Sequence, residues 1–321
     1  EIMPSLVGSE MCIRDRDIAM PNLKDIKSRI SSVQNTKKIT KAMKMVAAAK
    51  VKKAENTVKA ARPFSDELLH LFRKMLATVG EYSVAGLHVQ RALDNYPELL
   101  EKRDIKTEGL LVITSNKGLA GAYNSNIIKT AIARIRANKE RGVNTVIYPV
   151  GQKAVSAFKH AGKYFELKEG YISIANDPTA TGANIIAEDI AEDFVSGHID
   201  KIDIITTHFN NMMSYNVVSW DVLPVKVEQA DAHELDPVME FEPSPHSVLQ
   251  QLVPMYITNS IYQALLEANA SELASRMTAM SAASNNAEEM INTLTIDYNK
   301  ARQAAITQEI VEIVSGAQGV S

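Results

Sequence analysis

The sequence predicts an α/β protein: one long helix from each end of the chain, the last with the spacing of a coiled coil, and a strand-and-helix domain inserted between them. Three observations predict it. The stretches from Asn22 to Arg62 and from Met255 to Ser315 each lack both Gly and Pro. The second of them carries a long heptad seam, and the segment between the two alternates short apolar runs with helical ones.

The first helix starts at Asn22, whose side chain caps a helix well, and Asp25 sits in the first turn near the positive dipole end. Leu23, Ile26, Ile30 and Val33 follow 3-4-3 spacing. The expected seam then breaks at a polar stutter, Asn35-Thr36-Lys37, and resumes at Ile39, Met43 and Val46. The last helix runs from Met255 to a stop signal at Gly316. Its seam is Leu273, Met277, Met280, Ser284, Ala287, Ile291, Leu294, Tyr298, Ala301 and Ala305, alternating steps of four and three. At ~1.5 Å per residue, such a helix reaches about 90 Å. Small residues on the seam allow close approach but weaken the zipper, and seams this long and small-faced are expected to need each other.

Between them, Gly109–Thr114, Val143–Tyr148 and Ile202–Thr207 read as buried strands. Asn124–Asn138, Gln152–Ala161 and Ala183–Val195 read as helices, and Val217–Val227, interrupted at Pro224, as an edge strand. Strands alternating with helices imply a mostly parallel, Rossmann-like sheet.

Composition narrows the function. The chain has 321 residues, 35 Lys+Arg against 38 Asp+Glu, and 45% hydrophobic residues, a globular balance with enough chain for one or two domains. One cysteine cannot make an intrachain disulfide, and no apolar run is long enough to span a membrane. The net charge of −3 hides an asymmetry: Pro21–Arg62 carries 12 basic residues against Asp25 and Glu55, while Pro245–Ser321 has three basic and seven acidic residues. A basic helix suits an acidic protein surface, an acidic membrane or nucleic acid, or is a solvated face. Nucleic acid is disfavoured because no aromatic occurs between Pro21 and Pro63. Residues 1–19 follow none of these patterns. The string Pro4 to Arg16 resembles translated sequencing-adapter read-through, so Met20 is the expected start, and Cys12 is not expected in the native chain.

Catalytic patterns are missing. The sequence has no G-x-G-x-x-G, no G-x-x-x-x-G-K-[ST], no H-E-x-x-H and no G-x-S-x-G. Ser115-Asn116-Lys117-Gly118-Leu119-Ala120-Gly121-Ala122 comes nearest to an anion loop, but a tight glycine turn explains it better. His208, at a strand end, is expected to be structural or on the surface, and Glu188-Asp189 and Glu192-Asp193 are expected on a solvated face. A coiled-coil adaptor and a nucleotide-dependent oxidoreductase are the rival readings.

Three stretches resemble the gamma subunit of the rotary, F-type ATP synthase: Lys24-Asp25-Ile26 with Ser32 through Lys50, Ser115 through Asn124, and Ala274 through Met280 with Tyr298 through Ile310. They lie in the family's order across Met20 to Val320. The resemblance implies a rotor shaft that couples transmembrane ion flow to ATP synthesis or hydrolysis. Its terminal helices would pair as a long antiparallel coiled coil in a ring of alpha and beta subunits, and its α/β domain would lie near the epsilon subunit and the membrane-embedded c-ring. It implies a non-catalytic subunit with no cofactor, no metal, no direct nucleotide binding and no nucleic acid. The expected location is peripheral, on the cytoplasmic face of a bacterial plasma membrane. Carried over by motif position, the rotor–stator contacts would be Met43, Lys44, Arg276, Gln303, Thr307 and Glu309. The expected organisation is a non-native, disordered leader over 1–19, the first helix over 20–80, the α/β domain over 81–244 and the last helix over 245–321. The cysteine-bearing regulatory insert of chloroplast-type relatives has neither room nor cysteine between Ile202 and Val227, so thiol regulation is not expected.

Overall fold

The computed structural model describes residues 23–84, 99, 103–159, 164–224, 242 and 245–318. The expectations for 1–19, for the Asn22 cap, for 160–161 of the second inner helix and for 225–227 of the edge strand lie outside these residues. In chain order the elements are α1 (Leu23–Val84), β1 (Thr107–Ile113), α2 (Tyr123–Glu140), β2 (Asn144–Val150), α3 (Gln152–Phe158), β3 (Glu166–Leu167), α4 (Ala180–Val195), β4 (Lys201–Asn211), β5 (Ser214–Leu223) and α5 (Pro245–Gln318). They divide into two compact units, Met43–Met280 and the set Glu1–Ala42 with Ser281–Ser321.

Within Met43–Met280 the sheet order is β3-β2-β1-β4-β5. β1, β2, β3 and β4 run parallel, and β5 returns antiparallel to β4 at one edge. The central strand alternates its side chains between two cores. Leu110 and Val112 pack with Tyr123, Ile127 and Ala131 of α2. Leu111 and Ile113 join Ile186 and Ile190 of α4, together with Phe72 of α1 and Val253, Ile257 and Ile261 of α5. A sheet buried on both faces explains why its strands read as near-continuous apolar runs. The expected edge strand ends at Leu223, ahead of Pro224, and starts earlier than its apolar run because Ser214 and Tyr215 pair with the end of β4. β3, only two residues long, is too short to leave a periodic signal.

In the same unit α1 and α5 run antiparallel. Ser65 meets Asn259, while three residues earlier in α1 Arg62 meets Glu267, further along α5. Phe72 stacks on Tyr256 with ring centroids 5.2 Å apart. α5 begins at Pro245, ahead of the stretch free of Gly and Pro that opens at Met255, and carries Pro254 inside it. Burial of Val253 and Ile257 on either side offsets the hydrogen bond that the proline removes. Gly316 does not end the helix, which continues to Gln318, since one glycine costs only about 1 kcal/mol in a helix.

The α5 seam is as expected: Leu273, Met280 and Ala287 are buried, and none of its other positions is exposed. The α1 seam is not. Ile39 is 60% and Val46 58% exposed, whereas Thr40 and Ala47 are buried and Lys37 and Met43 half-buried. The inward side runs through Val33, Lys37, Thr40, Met43 and Ala47, in steps of four, three, three and four. Polar residues stand in two of its places and imitate a stutter. Lys37 keeps its charge paired with Glu288 at 3.0 Å, within the unit formed by the two outer helix segments. The Thr40 hydroxyl donates back to the Lys37 carbonyl.

The acid pairs of α4 are only partly a solvated face. Asp193 accepts from the Tyr148 hydroxyl and pairs with Lys168, and Asp189 accepts from the Tyr171 hydroxyl at 2.6 Å. These bonds tie α4 to β2 and to the segment after β3.

Near the starts of β1 and β4 lies a buried ionic cluster. Arg134 donates to Glu108 at 2.5 Å and Asp203 at 3.0 Å, and Lys201 reaches Asp203 at 2.7 Å and Asp221 at 3.0 Å. Burial, reinforced by Asp221, pushes the Asp203 carboxyl up to about 7. For Glu108, burial is outweighed by Arg134 and Lys201, which hold its carboxyl below the usual range. The two acids therefore act in different pH windows. The raised acid favours the fold while protonated and loses that contribution as pH rises from its unfolded value through about 7; the lowered one loses its contribution only as pH falls below the ordinary carboxylate range. Asp203→Asn is expected to flatten the pH dependence of the urea midpoint between pH 5 and 8. An unchanged slope would show that Asp203 does not titrate there.

Candidate functional site

The loop after β1 is set by local hydrogen bonds. Asn124, at the start of α2, accepts from the Ser115 amide, and the Ser115 hydroxyl donates to the Lys117 carbonyl. Asn116 accepts from the Gln152 amide and donates to the Ile172 carbonyl, tying the loop to α3 and the segment beyond β3. Gly121 adopts φ +54°, and a Cβ there would stand 3.4 Å from Ser275 Oγ, so the glycine serves both the turn and the close approach of α5. Leu119 also adopts positive φ, at 64°, with its side chain exposed.

This loop sits at the carboxyl ends of the strands where β1 diverges to β2 on one side and β4 on the other, the crevice in which open α/β sheets ordinarily take ligands. Here α5 forms one wall of it. Ser275 donates to the Ala120 carbonyl at 2.6 Å, Arg276 to the Gly118 carbonyl at 3.1 Å, and the buried Tyr123 hydroxyl to the Ala268 carbonyl at 3.1 Å. Two sequence stretches singled out separately, Ser115–Asn124 and Ala274–Met280, are thus two halves of one contact. Between the loop and the two helices a cleft of roughly 400 Å³ remains, lined by Ser115, Asn116 and Lys117 with Lys50, Glu272 and Arg276. Burial raises the Glu272 carboxyl even though Arg276 bonds it directly.

The six expected contact residues fall in different settings. Met43 is half-buried on the α1 seam, and Lys44 beside it is exposed. Arg276 is spent inside the chain on Glu272 and Gly118. Gln303, Thr307 and Glu309 are all exposed on α5, with the Thr307 hydroxyl bonded to the Gln303 carbonyl at 2.9 Å. Met43, Lys44 and Arg276 share one compact unit, and Gln303, Thr307 and Glu309 lie in the second. On α1, Lys38, Lys41, Lys44, Lys50, Lys52 and Lys53 are exposed, and Glu55 answers only Lys52 and Lys59. Sequence reasoning missed Tyr123 and Ser275, whose hydroxyls look like ordinary helix residues until the contact between loop and helix is known. His208 is half-buried, with its ring 3.6 Å from Glu267. Among the described residues no group of three or more His, Cys, Asp or Glu is placed to hold a metal ion, and no helix is long and apolar enough to cross a membrane.

A family model described as ATP synthase matches residues 22–320. An "ATP synthase gamma chain" from a Synechococcus species is 39% identical over 327 residues, covering 94% of this chain and 100% of the relative. A protein of the same name from Nostoc punctiforme is 40% identical over 328 residues with the same coverage. Among solved structures, a chain of the central stalk and c-ring of the Tetrahymena thermophila mitochondrial ATP synthase matches with TM-score 0.54 and 28% identity, over 77% of this chain and 99% of that one. A chain of the Euglena gracilis mitochondrial ATP synthase has the same fold, with TM-score 0.60 and 17% identity over 93% and 94% of the two chains.

Proposed function

This chain belongs to the ATP synthase gamma-chain family, the central rotor of the catalytic head, and we propose that it works as a non-catalytic shaft between an alpha/beta ring and a membrane-embedded c-ring. The observation that carries the non-catalytic reading is the loop at the sheet's ligand position: it is bonded to α5 through Ser275 and Arg276, and Gly121 serves its turn and the close approach of that helix, so the loop is committed to the chain's own helix. The relatives' names and the c-ring of the Tetrahymena structure support the partners: alpha and beta subunits, the epsilon subunit and the c-ring. The site of action is then peripheral, on the cytoplasmic face of a bacterial plasma membrane.

The lysines exposed along α1 suit an acidic ring surface. Exposed charge pairs are worth only ~0–1 kcal/mol each, so such a surface transmits force over many weak contacts and lets go of each one easily. Met43 and Lys44 would make contact from α1, and Gln303, Thr307 and Glu309 from α5. Arg276, already bonded to Glu272 and Gly118, would act by holding its turn of α5 in place. The terminal-helix segments 20–80 and 245–321 would form the shaft, and 81–244 the module that meets epsilon and the c-ring.

Co-expression of the tagged chain with alpha and beta subunits tests this. The expected product is a complex with ATPase activity that depends on the chain, while the purified chain alone binds no ATP. ATP binding by the isolated chain, or recovery without alpha and beta, would overturn the reading.

A further inference from the structure

We propose that Glu267 is the torsional joint of this rotor: with Arg62 it clamps the end of β4 between α1 and α5 and transfers torque from the sheet module to the helix pair. The inference rests on the rotor reading above and adds the residues that make the module and the shaft turn together.

Glu267 is 1% exposed, in a turn of α5 where Leu265, Leu266, Ala268 and Ala270 are also buried. A carboxylate is almost never fully buried unless its charge is answered. Here every answer comes with a direction. Arg62 of α1 binds it in a fork, Nε to Oε1 at 2.8 Å and Nη2 to Oε2 at 3.0 Å. Gln263 of α5 donates to Oε1 at 3.0 Å, and the Phe209 amide of β4 donates to Oε2 at 2.7 Å. The circuit closes on the strand, because Arg62 Nη2 also donates to the Phe209 carbonyl at 2.7 Å. One peptide residue of β4 is therefore held on its N–H by α5 and on its C=O by α1.

The strand is built to reach this point. β4 has 11 residues where β1 and β2 have 7, and its pairing with β5 shifts register between Phe209 and Asn211. The extension carries the Phe209 ring into the cluster of Val51, Ala54 and Val58 from α1 with Leu266, Ala270 and Leu273 from α5. That apolar cluster supplies adhesion, but apolar burial is non-directional and resists slip or twist poorly. Bidentate guanidinium–carboxylate bonds fix angle as well as distance. Elsewhere along β4 the Thr206 hydroxyl donates to the Ala264 carbonyl of α5 at 3.3 Å, a neutral bond, and the His208 ring stands 3.6 Å from Glu267 itself. At the end of β4 the directional restraint thus concentrates on Glu267, the one point where strand, α1 and α5 are bonded together; the β1 loop and α2 bond α5 alone, through Ser275, Arg276 and Tyr123.

The test uses the complete complex in sealed vesicles, parent against Glu267→Gln, Arg62→Lys and the charge reversal Arg62→Glu/Glu267→Arg. Two quantities are read: ATP hydrolysis without a gradient, and ions moved per ATP against an imposed one. Glu267→Gln and Arg62→Lys are expected to hydrolyse like the parent, yet to move about fivefold fewer ions per ATP under load, the lower range of coupling between sites. The reversal restores an ion pair but offers Phe209 a carboxylate at its carbonyl and a guanidinium at its amide, so it is expected not to rescue coupling. Rescue by the reversal would reduce Arg62–Glu267 to a fold-stabilising pair. Parent-like ratios in both single variants would also overturn the joint. A parent complex that neither assembles nor pumps would instead refute the rotor reading itself. If Glu267→Gln fails to assemble, Arg62→Lys, which keeps the charge and loses the fork, decides alone.

Discussion

Met43→Lys in the assembled complex is expected to leave ATP hydrolysis near the parent rate while ions moved per ATP fall about tenfold, since ~1.4 kcal/mol of unequal bias between rotary states changes their ratio tenfold. Met43 is half-buried on the α1 seam between buried Thr40 and Ala47, with exposed Lys41 and Lys44 on either side. A lysine there buries its stem and turns its ammonium outward, placing one more cation on a surface already rich in them. Against an acidic partner the added charge forms a misplaced pair, and its strength differs from one rotary position to the next. The fold is expected to survive, because Val51, Ala54 and Val58 further along the seam keep their contacts with α5. Met43→Leu, similar in volume and uncharged, is expected to be nearly silent. A parent-like ion-to-ATP ratio in Met43→Lys would remove this residue from the coupling surface.

Gly151→Val should be the most damaging single change to the α/β module, lowering stability by about 3–5 kcal/mol. Gly151 adopts φ +87°, and a Cβ there would stand 2.3 Å from the Thr114 carbonyl oxygen and 2.9 Å from its carbon, both backbone atoms that cannot swing away. Relief would pull β1 from β2 and break the bonds from the Thr114 amide and hydroxyl to the Val150 carbonyl, at 2.9 and 3.0 Å. The same shift would displace Ser115 and the loop that holds α5. Urea unfolding of the variant should show a much lower midpoint. A midpoint within experimental error of the parent would mean that this junction has slack.

The α5 seam was fully legible because its knobs, though small, are mostly apolar and keep strict spacing. The same logic misplaced the middle of α1. There Lys37 and Thr40 take seam positions while Ile39, Met45 and Val46 point outward, so hydrophobicity and burial are out of phase. The strands were legible as apolar runs because both faces of the sheet are covered. The contact between the β1 loop and Ala274–Arg276 was not, since it is made largely to backbone carbonyls, which carry no side-chain signature. Glu267 did leave a trace: an acid inside the run Leu265-Leu266-Glu267-Ala268 must find a partner if the run is buried. The partner, Arg62, lies 205 residues away, and a basic residue at the end of a basic helix does not stand out. Asp189 and Asp193 looked like surface charge because the tyrosines they hold, Tyr171 and Tyr148, come from other elements.

The most direct measurement of the central claim fixes the alpha/beta ring to a surface and attaches a probe to an exposed residue of the α/β module, such as Arg136 replaced by cysteine. ATP is then added. The account predicts sustained rotation of the probe in one direction, stopping when ATP is withdrawn. A probe that stays still, or only fluctuates about a fixed angle, while the complex hydrolyses ATP at its full rate would contradict it.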